Sequence, residues 1–354
     1  MTDKKRQGKD MKKQDGVIRE KRKIFRRMAG LSVLFVVCFF LSFFLGRYPV
    51  SPKTLIEVLL SKVFPIEPTW QPSVENVLFQ VRFPRVMMAS LIGAGLSCAG
   101  AAYQGIFQNP MVSPSVLGAS SGAGFGAALG LYFSMSYSVV TGSAFVFGIG
   151  AVLLVCLIGS RVKSSQVLGL VLAGTMVSSL FSAAVSFLKL VADTNNTLPA
   201  ITYWLMGSLT SIRLEDVRFA GPLIILGILP VFLLRWKINV LTLGEEEARC
   251  IGVNTRNVRW IIIICATLIT AAAVSVSGLI GWVGLVIPHL SRMLVGNDYR
   301  VMLPASLLLG GSYMLIVDNV SRLISTSEVP IGILTAFVGA PFFLYLILKE
   351  GKTL

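Results

Sequence analysis

The chain has 354 residues, 54% of them apolar counting Tyr, with 33 glycines and only 14% charged residues. Its 32 Lys and Arg against 17 Asp and Glu give a net charge of +15, yet the mean hydropathy is +0.76. That combination excludes an ordinary soluble enzyme, a disordered chain and a cytosolic nucleic-acid binder, and it points to a membrane protein with localised positive charge.

Residues 1–27 hold twelve basic side chains, from Lys4 to Arg27, against Asp3, Asp10, Asp15 and Glu20. Positive charge of that density anchors the N-terminal end in the cytoplasm. The apolar run 28–45 is long enough to span a bilayer and has no small-residue cleavage site before Arg47, so it reads as a first span and not as a signal peptide. The tail itself reads as a solvated topogenic segment, although its charge would also suit RNA or anionic lipid.

Further apolar stretches at 86–107, 114–133, 139–160, 167–191, 219–234, 260–276, 279–295, 301–320 and 331–348 bring the predicted spans to about ten in an all-α polytopic membrane protein. The organisation is a tail over 1–27, one transmembrane domain over 28–348 and a C-terminus over 349–354. An even number of spans returns Lys349 and Lys352 to the cytoplasm, and most of the basic residues then fall on that side. Gly278, Gly281, Gly284 and Pro288 interrupt the seventh and eighth spans, so a broken or re-entrant path is an alternative there. Two segments are expected outside. One, 47–81, carries five prolines and a short apolar helix pattern at 55–63; the other, 193–217, opens on a polar run from Asp193 to Thr197.

In the third span, Gly118, Gly122, Gly126 and Gly130 recur every four residues beside Ala119, Ala123 and Ala127. In lipid, helices gain by close backbone approach along such a stripe. Gly122, Gly124 and Ala127 also match a loose dinucleotide fingerprint, but no strand precedes it. After the sixth span, Thr242 and Glu245 form a capping-box pair, Glu245, Glu246 and Glu247 suit a helix N-terminus, and Gly252 can end the helix. The pattern predicts a cytoplasmic helix of about nine residues, roughly 13 Å long. It can neither span a bilayer nor fold alone, so it either docks on a partner or lies as a surface loop helix.

Chemistry-bearing residues are sparse. Cys38, Cys98, Cys156, Cys250 and Cys265 show no metal or disulfide spacing, and there is one histidine, His289. Neither catalysis nor a resident metal is expected in this chain. Lys189, Asp318 and Arg322 fall near outer span ends and Arg161 and Arg292 near inner ones. The midplane acid that proton- or sodium-driven transport usually needs is missing. A pore energised from elsewhere is therefore favoured over a proton-coupled secondary transporter, the alternative of another class, and over a receptor or scaffold that transports nothing.

The segments VRFPRVMMASLIGAGLSCAGAAYQGIFQNPMVSPSVLGASSGAGFGA (81–127), LGLVLAG (168–174), LGEEEARCIGV (243–253), SGLIGWVGLVIPHLSRMLVGNDYR (277–300) and VPIGILTAFVGAPFFLYLIL (329–348) resemble, in this order and spacing, the FecCD-type permeases of ATP-binding-cassette importers. The resemblance covers nearly everything after the basic tail. It implies the type II importer fold, with two permease subunits, here a homodimer, around one pathway in a bacterial or archaeal cytoplasmic membrane. It also implies two ATPase subunits carrying ATP and magnesium, a solute-binding protein outside, no cofactor on this chain and no nucleic-acid partner. The implied cargo is a ferric siderophore or related iron complex, with haem, cobalamin and molybdate as alternatives.

The resemblance implies residue roles as well. Gly244, Glu247, Ala248, Ile251 and Gly252 fall in the coupling helix that docks on the ATPase. Arg82, Arg85 and Arg322 match outer arginines that meet carboxylates of the binding protein; interfacial snorkelling is the other reading of Arg82 and Arg85. Gln104, Asn109 and Met111 lie where family members narrow the pathway, and Ser164 and Ser165 lie in a neighbouring gate loop without individual roles. His289 falls in the family's VxPH segment, where a packing or hydrogen-bonding role outweighs a ligand role.

Overall fold

The computed structural model describes residues 2–46, 48, 50–61, 64, 70–162, 166–325 and 327–350. Helix α1 runs Thr2–Phe44 and is followed by α2 (Pro52–Ser61) and α3 (Pro72–Asn76), which passes through a π-helical turn at Val77–Arg82 into α4 (Phe83–Ile106). A 3-10 turn at Pro114–Leu117 precedes α5 (Ala119–Tyr132), and α6 (Tyr137–Gly159), α7 (Gln166–Val191), α8 (Thr197–Leu205) and α9 (Leu214–Leu233) follow. The remainder is α10 (Arg235–Leu241), α11 (Glu245–Cys250), α12 (Thr255–Ser277), α13 (Val283–Val295), α14 (Tyr299–Ile324) and α15 (Ile331–Glu350). Among the described residues there is no strand.

Each of the ten predicted spans has a helix: α1, α4, α5, α6, α7, α9, α12, α13, α14 and α15. Seven of the described helices are long and apolar enough to cross a membrane; α13 and the apolar part of α15 are shorter. The sixth and seventh spans begin five residues earlier than predicted, at Leu214 and Thr255, and two spans begin later. The third span does not begin at Pro114, because Pro114 opens a 3-10 turn and Gly118 takes the left-handed conformation (φ +82°), so regular helix starts at Ala119. The eighth begins at Val283, after an irregular segment from Gly278 (φ +68°) to Trp282 (φ +67°). At 1.5 Å per residue, α5 and α13 are each about 20 Å long, against about 30 Å of hydrocarbon. The basic tail is not set apart by a break, since α1 continues through it unbroken.

Contacts fix the alternation of the bundle. At the tail end, the Arg27 guanidinium donates to the Leu294 carbonyl, Gln108 Nε2 to Leu241 O (2.7 Å) and the Tyr299 amide to Asn239 Oδ1 (3.2 Å). At the opposite end, Tyr137 Oη donates to Asp216 Oδ2 (2.9 Å), and the Ser208 amide donates to Ser277 O (2.8 Å). The amides of Ile331 and Gly332 donate to the carbonyls of Gly207 (2.9 Å) and Met206 (3.1 Å), so that loop joins α8, α12 and α15.

Helices α4 and α12 are buried on nearly every side, while α6 and α7 turn Leu153, Leu157, Met176 and Leu180 outward, as lipid-facing helices do. Small residues let the central helices meet at backbone distance. A Cβ on Gly93 of α4 would lie 2.6 Å from Met314 Cβ and strike the Gly310 carbonyl of α14. A Cβ on Gly100 would run into the backbone of Gly284 in α13. Close approach of this kind supplies the packing energy that hydrophobic exclusion of water supplies elsewhere.

Candidate functional site

The predicted outer arginines converge at the end opposite the tail, but not on a rim. Arg82, Arg85 and Arg322 are only 3%, 4% and 6% exposed. The resemblance implies arginines that meet a partner's carboxylates; here each guanidinium is used inside the fold. Arg82 sits on the π-helical turn and donates to Phe43 O (2.5 Å) and Tyr48 O, passing the small Gly46 to do so. Arg85 Nε donates to Asp318 Oδ1 (2.8 Å), and its two terminal nitrogens meet Glu328 at 3.1 and 2.7 Å, a forked pairing. Arg322 Nη2 lies 3.1 Å from Asp318 Oδ2 and 2.5 Å from Asn319 Oδ1, while Nη1 reaches Leu45 O (3.2 Å).

Sequence reasoning missed the other half of this cluster. Asp318 is fully buried between Arg85 and Arg322, and Glu328 also accepts from Thr210 Oγ1 (2.8 Å). Asn319 donates to Ser42 Oγ (2.8 Å), which ties α14 to α1. The spacing of Asp318 and Arg322, one helical turn apart, was the available signal. The network binds the ends of α1, α4 and α14 and the loops before α9 and α15.

At the tail end, Gln104 is buried: Nε2 donates to Val112 O (3.3 Å) and Leu285 O (3.4 Å), and Oε1 accepts from Arg292. Asn109 is exposed and folds back, its Oδ1 accepting from the Met111 amide (2.9 Å), and Met111 stands 54% exposed. Gln104 is thus a structural tie between α4, the 107–113 loop and α13, while Asn109 and Met111 are at the surface. His289 is half-buried on α13. Ser164 and Ser165 lie outside the described residues.

The predicted loop helix exists as α11 at the tail end, with two corrections. It is six residues long, and its N-cap is Gly244 (φ +134°). Thr242 forms no capping box: its hydroxyl donates to Asn239 O (2.7 Å) and closes the end of α10. Glu245 instead holds the helix in place, accepting from Arg259 of α12 and lying 3.5 Å from Arg249. Ala248 is fully buried beneath α11, so it supports the helix and cannot itself be a contact face. Exposed above it are Leu243, Glu246, Glu247, Ile251 (58%) and Gly252, the last with φ +87° and open space around it.

The glycine stripe packs on α6. A Cβ on Gly122 would lie 2.6 Å from Ala151 Cβ, one on Gly126 2.5 Å from Ser143 O and one on Gly130 3.1 Å from Val140 Cγ2. Gly118 is not part of that face: it supplies the left-handed turn and looks toward Ser178 and Val177 of α7. The Phe125 ring lies between α6 and α7, edge-on to Phe147 of α6 and tilted on Phe181 of α7. The dinucleotide reading has no support, since among the described residues no strand precedes α5.

Residues 34–349 match the FecCD transport family. The chain is 42% identical over 320 residues to the molybdate import system permease protein MolB of Haemophilus influenzae, a span covering 90% of this chain and 94% of that one. It is 39% identical over 280 residues to a probable iron chelatin transport system permease protein of Helicobacter pylori, covering 78% and 84%. A solved inward-facing ABC transporter assigned to the metal-chelate type superposes with a TM-score of 0.81 at 41% identity, over 91% of this chain and 98% of that one. With its apolar helices, its tail-end loop helix and its family match over nearly the whole length, the chain is a multi-pass membrane permease that belongs to the FecCD transport family of ABC importers.

Proposed function

We propose that this chain is the transport subunit of an ATP-driven importer, working as a homodimer with two ATPase subunits on the tail side and a solute-binding protein on the opposite side. The observation that carries this reading is α11. A six-residue helix is too short to be stable by itself, yet here it is pinned from below by Ala248 and from the side by Glu245 and Arg259, and it holds Ile251 outward with Leu243 beside it. Apolar side chains held at an aqueous end by a rigid base suit a protein partner. ATP and magnesium belong to that partner, whose closure would tilt the permease through α11. The tail and both termini are then cytoplasmic, in keeping with the positive-inside distribution.

The cargo is a ferric siderophore or related iron complex, a reading supported by similarity to the iron chelatin permease and the metal-chelate transporter. Molybdate is the second reading, favoured by similarity to MolB over 94% of that chain. Two measurements test the proposal. Vesicles with ATP inside and the binding protein outside should accumulate cargo, and a proton gradient alone should not. Titration of the cognate binding protein with ferric chelates and with molybdate decides the cargo.

A further inference from the structure

Two cavities meet at a pair of adjacent residues, Gly281 and Trp282. The larger, about 590 Å³, lies in the half of the bundle away from the tail and is walled by Leu205 and Met206 at the end of α8 and by Ile333, Ala336, Phe337 and Pro341 on α15. The smaller, about 200 Å³, is walled by Leu96, Thr270, Ser113, Pro114, Ser115 and Ser120, among others. Leu96 is midway along α4, so this second cavity is at mid-depth in the bundle. Gly281 and Trp282 line both.

Both membrane-depth chain breaks open into the smaller cavity: the 3-10 turn before α5 and the irregular segment before α13. Irregular backbone at that depth is tolerated where it is buried in protein or lines a wet cavity. The cavity wall supplies hydroxyls and no charged side chain. Thr270 spends its proton on Ala266 O (2.7 Å), and Ser115 and Ser120 share one hydrogen bond (3.0 Å), which leaves a proton of that pair and the Ser113 hydroxyl to face a guest. Such a surface donates hydrogen bonds to oxygen atoms and holds an anion without trapping it.

Trp282 stands between the two spaces in a strained position. A bulky residue at φ +67° is a genuine outlier. Its ring is accommodated by Gly339 of α15, where a Cβ would lie 2.6 Å from Trp282 Cβ and 2.7 Å from Cγ, and it meets Phe343 edge-on at 6.4 Å. Among the described residues no hydrogen bond ties down its indole N–H.

We infer that the hydroxyl-lined cavity is an intramembrane station for the anionic oxygens of the cargo and that Trp282 is the door between it and the outer cavity. The inference rests on the transport reading given above and adds a site and a gate to it. The oxygens could be those of a free tetrahedral oxyanion or of a carboxylate arm on a metal chelate.

The test is labelling by a membrane-impermeant thiol reagent added outside right-side-out vesicles that hold the full-length permease, in a Cys250→Ser background. Ala336→Cys, in the outer cavity, should label readily. Ser113→Cys, in the inner one, should label slowly beside Trp282 or Trp282→Phe and several-fold faster beside Trp282→Ala. Gly339→Ala, whose methyl displaces the ring, should give the same acceleration by an independent route if Trp282→Ala does not fold. Equal labelling of Ser113→Cys in all backgrounds, or no labelling of Ala336→Cys, would overturn the gate. In the Trp282→Ala background, protection of Ser113→Cys by molybdate identifies free oxyanion as the guest and protection by ferric citrate alone identifies a chelate arm; protection by neither overturns the station. ATP-driven import is measured separately, so loss of the gate and loss of the transport reading are distinguishable.

Discussion

Arg85 of α4 and Asp318 of α14 meet at 2.8 Å in a space that excludes water, with the acid fully buried and the guanidinium side chain only 5% exposed. Breaking a buried pair by removing one partner strands the other charge, at a cost of about 3–5 kcal/mol. Asp318→Ala removes the carboxylate that Arg85 and Arg322 share, leaving Arg85 with Glu328 alone, and should lower the unfolding midpoint of the detergent-solubilised permease sharply, whereas Glu328→Gln, at the wetter edge, should lower it less. Equal midpoints for the parent and Asp318→Ala would contradict the pairing.

Charge reversal of these arginines therefore reads stability before it reads docking. The triple change of Arg82, Arg85 and Arg322 to glutamate should fail to yield folded protein, and moderate salt should not rescue it, because ions screen exposed charges far better than buried ones. Size-exclusion profiles at low and high salt check this. A monodisperse triple variant would return the cluster to an exposed role.

The loop helix separates support from contact. Ile251→Asp should leave stability within about 0.5 kcal/mol, as surface changes usually do, and abolish co-purification with the ATPase. Ala248→Asp should unseat α11 and lower stability as well. Normal ATPase association in Ile251→Asp would remove the docking assignment.

Gly122→Leu and Gly126→Leu should be far more damaging than Phe125→Leu. The glycine changes force α5 off the backbone of α6, overpacking that costs at least about 1–3 kcal/mol, while Phe125→Leu gives up aromatic contacts worth about 1 kcal/mol. Gly142→Ala and Gly150→Ala on α6, where a Cβ meets nothing within 4 Å, are the controls and should be neutral or slightly stabilising. Yields and midpoints of the five variants rank the effect directly.

The ten apolar segments and the glycine stripe were readable because hydrophobic length and a four-residue period are local properties of the chain. The family's motifs supplied the rest of the expected architecture. What was not readable was which polar residues find one another. Arg85 and Glu328 are 243 positions apart, and nothing local distinguishes an arginine that will be paired from one that will face a partner. The same holds for Gln104, whose tie to Arg292 depends on α4 and α13 coming side by side. Thr242 was misread for a different reason: a hydroxyl three residues before a glutamate suits a capping box, but α10 ends there first and claims it. Trp282 gave no signal, since a tryptophan after a glycine in an apolar run looks like ordinary membrane sequence until its backbone angle is known.

Helices α4 and α14 touch at two heights, backbone to backbone where Gly93 meets Gly310 and ion to ion where Arg85 meets Asp318. Two points fix a line, so neither helix can roll about its own axis or slide along the other without tearing one of them. The pair forms a keel. Motion during a transport cycle must then be carried by whole-subunit tilting or by the thinner elements hung on this keel, the broken α5 and α13 and the outlying α15, and a cross-link between α4 and α14 should leave the cycle running while one between α13 and α15 should stop it.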